Sequence, residues 1–271
     1  MSPTWESYLY PETMTDGITG TLRNIPGYRD YEELQAFEYD EALDREIELR
    51  TGQVDLPRTY DSEHLRAIHR HLFGNVYEWA GEYRGISIQK DATHFADPTE
   101  IDDYLSAANK IIADADWATL DHKGFADVTS EVYANINQAH PFREGNGRAG
   151  KVFMSQVAEL SHFRISYDPQ RTGITAALWN QQSMLSAPDF GQRTPDPAPL
   201  RPIFYALAQP ATDGPSQTVE LAWSVRAHRL AGERSMPDIL NEARGDLPES
   251  SPSLPHQELG QSNAPRRAPR R

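Results

Sequence analysis

The chain of 271 residues carries 40 Asp and Glu against 26 Lys and Arg, a formal charge of -14, and 38% of its residues are hydrophobic. This composition supports one sizeable core and disfavours a partner that is a polyanionic nucleic acid or an anionic membrane. With no cysteine, disulfide scaffolds, thiolate metal sites and a cysteine nucleophile are excluded.

The first residues show no basic stretch followed by an apolar one, and no apolar run reaches membrane-spanning length, so a soluble cytoplasmic protein is expected. Residues 31–50 place apolar side chains three and four apart in a Glu-, Leu- and Arg-rich stretch, which predicts an amphipathic helix. Asp61 precedes SEHLRAIHRHLF as an N-cap, and Asp97-Pro98 opens TEIDDYLSAANKIIADA with proline where its missing N–H costs nothing. In YRGISIQKDATHFAD, Ile86 and Ile88 alternate with polar residues and Asp91-Ala92 suits a turn, so this is the one expected hairpin. Further helices are predicted over KGFADVTSEVYANINQA, RAGKVFMSQVAEL, TGITAALWNQQSML and LRPIFYALAQ. The fold class is all-α with one small β-hairpin.

Residues 1–210 hold 32 acidic and 18 basic side chains, and the rest hold 8 of each. A folded domain is therefore placed at 1–210, a linker with a short helix near 216–232 at 211–235, and a disordered tail at 236–271. The tail is rich in Pro and Ser and poor in aromatics, so it cannot bury enough apolar surface to offset its ordering entropy.

The chemistry concentrates in His140-Pro141-Phe142-Arg143-Glu144-Gly145-Asn146-Gly147-Arg148, between two predicted helices. A glycine-rich loop feeding a helix N-terminus aims unpaired N–H groups and a positive dipole end at its contents, which favours phosphate. Gly145 and Gly147 allow close backbone approach, Asn146 adds an amide, Arg148 a forked cation, and Lys151 follows one turn later. Glu144 is a carboxylate suited to Mg²⁺ beside phosphates, and His140 titrates near neutrality, as a general base should. His64, His69 and His71 do not share a helical face and are read as structural. Trp79, Tyr83 and Phe95 are read as packing.

The loop resembles the signature of Fic domains, His-x-Phe-x-Asp/Glu-Gly-Asn-Gly-Arg-x-x-Arg, and meets it through Arg148; Lys151 stands at the second Arg. Trp79-Ala80-Gly81-Glu82-Tyr83-Arg84 is similar to a second family stretch. The resemblance implies a helical bundle with a hairpin flap and transfer of AMP from ATP to a hydroxyl of another protein. It assigns His140 as the base, Glu144 to Mg²⁺, and Gly145, Asn146, Gly147, Arg148 and Lys151 to the nucleotide. Ile86, Ser87, Ile88, Gln89 and Lys90 become the flap that docks the target by strand addition. Because Lys151 lacks the guanidinium fork, a non-catalytic protein or a different donor, such as UTP, another nucleotide or phosphate, is the alternative.

Family members are commonly restrained by a helix bearing Ser/Thr-x-x-x-Glu-Gly/Asn. Residues 216–221, 2–7 and 59–64 each fail that pattern at the last position, so a separate small antitoxin is expected, with the helix that begins at Ser216 as the rival inhibitor. The resemblance suggests the ATPase subunit of DNA gyrase or topoisomerase IV as target. The basic end of the tail, Arg266 to Arg271, reads as a solubilising terminus or, more weakly, as a secretion signal.

Overall fold

The computed structural model describes residues 4–15, 19–90 and 93–211. The linker, the expected helix near 216–232 and the tail lie outside the described residues, as do Asp91 and Ala92. Helix α1 spans Tyr31–Arg50, α2 Ser62–Phe73, α3 Ile101–Asp114, α4 His122–Ala139, α5 Asn146–Ala158, α6 Pro169–Thr172, α7 Ala176–Leu185 and α8 Arg201–Leu207. None of the described helices is long and apolar enough to cross a membrane.

Helix starts follow side-chain caps. Asp30 accepts from the Glu32 and Glu33 N–H groups, Asp61 from His64, Asp121 from Gly124 and Thr175 from Leu178. Asp97 also caps, but the turn that it opens, Pro98–Glu100, is a 3-10 turn leading into α3. Helix α4 is the central element, packed on α3, α5 and α8, while α2 lies between α1 and α5. Its buried residues include Phe125, Val132, Tyr133 and Ile136. Tyr133 meets the rings of Trp179 and Phe204 at 4.7 and 5.7 Å between centroids.

The expected hairpin is present but shorter than its sequence pattern. Strand β1, Gln89–Lys90, pairs antiparallel with β2, Thr93–His94, in the register Gln89 to His94 and Lys90 to Thr93. Residues 86–88 lie outside the ladder, and the Ile86 carbonyl is taken instead by the Arg84 side chain at 2.6 Å. A second sheet corrects the expectation of a single hairpin: β3, Phe163–Ile165, pairs antiparallel with β4, Ala208–Pro210. Three residues per strand are too few to show a period, and Pro210 sits at the strand end where its missing N–H is tolerated.

Arg84 ties this scaffold to the loop that follows α4. It is 2% exposed, and its guanidinium donates to the carbonyls of Ile86, Ala96, Ala139 and His140 at 2.6, 2.6, 3.2 and 2.8 Å. Its own N–H donates to the Pro141 carbonyl at 2.8 Å. Two of these acceptors lie at the C-terminal end of α4, where carbonyls lack helical partners. The other two are the roots of the hairpin. Replacing Arg84 by Ala strands several buried carbonyls and is expected to cost about 3 kcal/mol of stability in urea denaturation. Arg84→Lys should recover only part of the loss, because a point charge cannot span the same carbonyls. An Arg84→Ala chain as stable as the wild type would refute this role.

Candidate active site

Helix α4 ends on His140, which adopts the left-handed conformation at φ 38°, ψ 59° and donates its N–H to the Ile136 carbonyl. That position usually takes glycine or asparagine, because a Cβ there is strained by about 1 kcal/mol. Pro141 prevents the helix from continuing. The turn points the imidazole out of the bundle, where it stacks on Phe95 at 3.7 Å between centroids and 18° between planes. Phe95, expected to be packing only, is thus the ring that orients the imidazole from the far root of the hairpin.

The loop then doubles back to start α5. Gly145 caps α5 at φ 79°, and a Cβ there would lie 2.4 Å from the Phe73 ring, so only glycine fits. Phe142 is 1% exposed and stacks on His69 at 3.8 Å. The Asn146 side chain accepts from the Phe142 N–H and donates to the Phe142 carbonyl, both at 2.8 Å. Asn146, expected at the nucleotide, thus also braces the loop. The backbone N–H groups of Asn146, Gly147 and Arg148 form the first turn of α5, with no helical acceptor before them. Exposed Gly147 leaves that turn open, with nothing within 4 Å of its Cβ direction.

These groups face a cavity of about 320 Å³. His140, Arg143, Glu144, Asn146 and Gly147 line it on the loop side, Tyr133 and Asn137 from α4, and Trp179, Asn180 and Ser183 from α7. The α7 wall was not foreseen, because nothing in ALWNQQSML marks it as more than a helix. Glu144 is the one carboxylate of this lining. Among the described residues no group of three or more His, Asp or Glu could hold a metal ion. The donor set fits Mg²⁺ arriving with nucleotide phosphates, since that ion keeps its waters and takes few protein carboxylates.

The two cations of the motif stand elsewhere. Arg148 pairs with buried Glu38 of α1, lies over the Phe73 ring at 4.7 Å and approaches Glu144 at 3.8 Å. Lys151 sits over the rings of Tyr167 and Trp179, its Nζ at 5.2 and 5.5 Å from their centroids. Burial pushes its ammonium below the usual lysine range, against the opposing field of Glu46. Neither cation is among the residues lining the cavity. Glu38 escaped the sequence reading, although it interrupts the stripe Leu34, Glu38, Ala42 at a spacing where an apolar residue belongs.

The three histidines of α2 make structural contacts. His64 donates from Nε2 to Gln156 at 2.7 Å, and His71 lies 3.2 Å from Glu48. Nδ1 of His69 accepts from the Gly81 N–H, so Nε2–H donates to the Glu144 carbonyl, both at 2.9 Å. Burial pushes His69 from 6.5 down to about 4, with the bond to Glu144 opposing the shift. The neutral ring is therefore part of the folded loop. Unfolded, it titrates near 6.5, so its share of stability is complete above that pH and is lost on acidification towards about 4. The expected slope is about 1.4 kcal/mol per pH unit in this window. His64 shifts the same way through burial. Urea denaturation at stepped pH should show a shallower fall for His69→Gln than for the wild type, and equal slopes would refute the assignment.

Residues 59–158 match the Fic/DOC family. The protein adenylyltransferase VbhT of Bartonella schoenbuchensis is 36% identical over 155 residues, covering 57% of this chain and 32% of that relative. The chain thus spans about a third of the length of VbhT. The probable protein adenylyltransferase y4lH of Sinorhizobium fredii is also 36% identical over 155 residues, covering 54% of this chain and 75% of the relative. Among solved structures, BepC of Bartonella tribocorum with bound AMPPNP superposes with a TM-score of 0.65 at 23% identity, covering 76% of this chain and 98% of that one. By its signature loop, its helical fold and its similarity to y4lH, the chain belongs to the Fic/DOC family.

Proposed function

We propose that the chain is a protein adenylyltransferase that transfers AMP from ATP to a hydroxyl side chain of a target protein. The observation that carries this reading is the convergence of His140, Glu144 and the open N-terminus of α5 on one cavity beside a two-stranded flap. The names of the relatives VbhT and y4lH support it, as does the AMPPNP bound to BepC.

In this reading the target's backbone adds to the flap at residues 86–90, which sets its hydroxyl beside His140. His140 takes the hydroxyl proton as the oxygen attacks the α-phosphorus; the new O–P bond forms as the bond to pyrophosphate breaks. The N–H groups at the start of α5 hold the phosphate oxygens, where the helix dipole favours negative charge. Mg²⁺, held by Glu144, would neutralise charge on the phosphates.

The proposal includes a separate small antitoxin as restraint, because residues 216–221, 2–7 and 59–64 each depart from the inhibitory pattern at its last position, and it takes the ATPase subunit of DNA gyrase or topoisomerase IV as target on the family resemblance alone. One observation favours a second reading. Lys151 lies against Tyr167 and Trp179, so the outer phosphates lack the forked cation of the family, and another donor becomes competitive.

Labelled ATP and Mg²⁺ should mark a protein band, and His140→Ala should slow labelling by about a hundredfold to ten-thousandfold. Persistent labelling in that variant would refute the base assignment. The mass added to the target separates the readings: adenylate for the first, and another nucleotide or phosphate for the second.

A further inference from the structure

Glu144 and Arg148 are four residues apart at the entry to α5, a spacing at which opposite charges pair on a helix. They do not close: Arg148 Nη2 stays 3.8 Å from Glu144 Oε1, beyond hydrogen-bond distance. The guanidinium is instead drawn to α1. Glu38 Oε1 accepts from Arg148 Nη2, and Glu38 Oε2 accepts from the Tyr77 hydroxyl. The Glu38 side chain is 10% exposed, whereas that of Glu144 is 47% exposed. The buried carboxylate, fixed by a second donor, outcompetes the solvated one, whose attraction water screens.

We propose that Glu38 is a positioning residue that keeps Arg148 from hydrogen-bonding Glu144, whose Oε1 accepts from the Gly145 N–H at 3.0 Å, so that the incoming divalent cation meets an open ion pair at 3.8 Å and not a bonded guanidinium. Without Glu38, Arg148 would swing through its flexible stem onto the nearest carboxylate. Glu144 would then have to exchange a guanidinium for the divalent cation. Glu38 thus acts on cation capture through Arg148, from a helix outside the matched segment 59–158. The inference rests on the adenylyltransferase reading, which gives Glu144 the cation.

Calorimetric titration of the full chain with the β,γ-imido analogue of ATP, once with Mg²⁺ and once with EDTA, reads the factor by which Mg²⁺ tightens binding. Glu38→Gln, which can still accept from Tyr77, should reduce that factor about fivefold, the size of an exposed ion pair. Glu144→Gln should abolish it, and adding Glu38→Gln to Glu144→Gln should change it no further. Tyr77→Phe, which loosens Glu38 without removing its charge, should move the factor in the same direction by less, and it supplies the readout if Glu38→Gln does not fold. An unchanged factor overturns the inference even if both affinities fall, because that pattern belongs to a residue that only orients Arg148 on phosphate. A wild-type chain that binds the analogue under neither condition refutes the adenylyltransferase reading, and the inference falls with it.

Discussion

The Arg84 guanidinium joins parts of the chain that the site needs in one register. Its acceptors are the last carbonyl of α4, the carbonyl of His140 itself, and Ile86 and Ala96 at the two roots of the hairpin. Burial pushes its pKa down to about 10, with Asp97 opposing the shift, so it remains charged at neutral pH. A cation enclosed by carbonyl dipoles is compensated without a carboxylate partner, and each bond is strengthened by the low local dielectric. The strained left-handed turn at His140 persists because these bonds over-determine it. In consequence the base and the flap cannot drift independently. A target strand laid on the flap is placed relative to the imidazole by the same side chain.

Polar side chains around the loop are mostly spent on holding its shape. Asn146 is closed on Phe142, His69 on the Glu144 carbonyl, and Arg148 on Glu38. The cavity is faced by the first turn of α5, opened by Gly145 and Gly147, and by the Arg143 side chain from the loop. The backbone donors of that turn are fixed before the ligand arrives and need no reorganisation. This reconciles a formal charge of -14 with the proposed phosphate-binding site. A distant acidic surface is screened within about 8 to 10 Å at physiological salt, whereas oriented N–H groups act at contact distance.

Helices were legible where cap and period coincide, as at Asp61 with SEHLRAIHRHLF and Thr175 with α7. The signature loop was legible because its chemistry is local: base, glycines and carboxylate lie within eight residues. The features that escaped depend on distant segments. Strands β3 and β4 exist only through each other, with the Ser166 N–H on Leu207 and the Ala211 N–H on His162. Glu38 finds Arg148 across 110 positions. The role of Phe95 appears only when the hairpin root folds onto His140. No period or propensity encodes such pairings, although a lone Glu in an apolar stripe is a trace of one.

Lys151 shows how a local departure from the motif is absorbed by its surroundings. A lysine presents a compact charge on a flexible stem, and the faces of Tyr167 and Trp179 offer that charge a quadrupole. Glu46, on α1 as Glu38 is, adds a favourable field, while burial opposes the charged form. Trp179 also lines the cavity proposed for the nucleotide, whereas Lys151 does not. In the proposed reading, the Lys-for-Arg exchange at this position therefore trades a forked, directional phosphate contact for contacts with the rings of Tyr167 and Trp179.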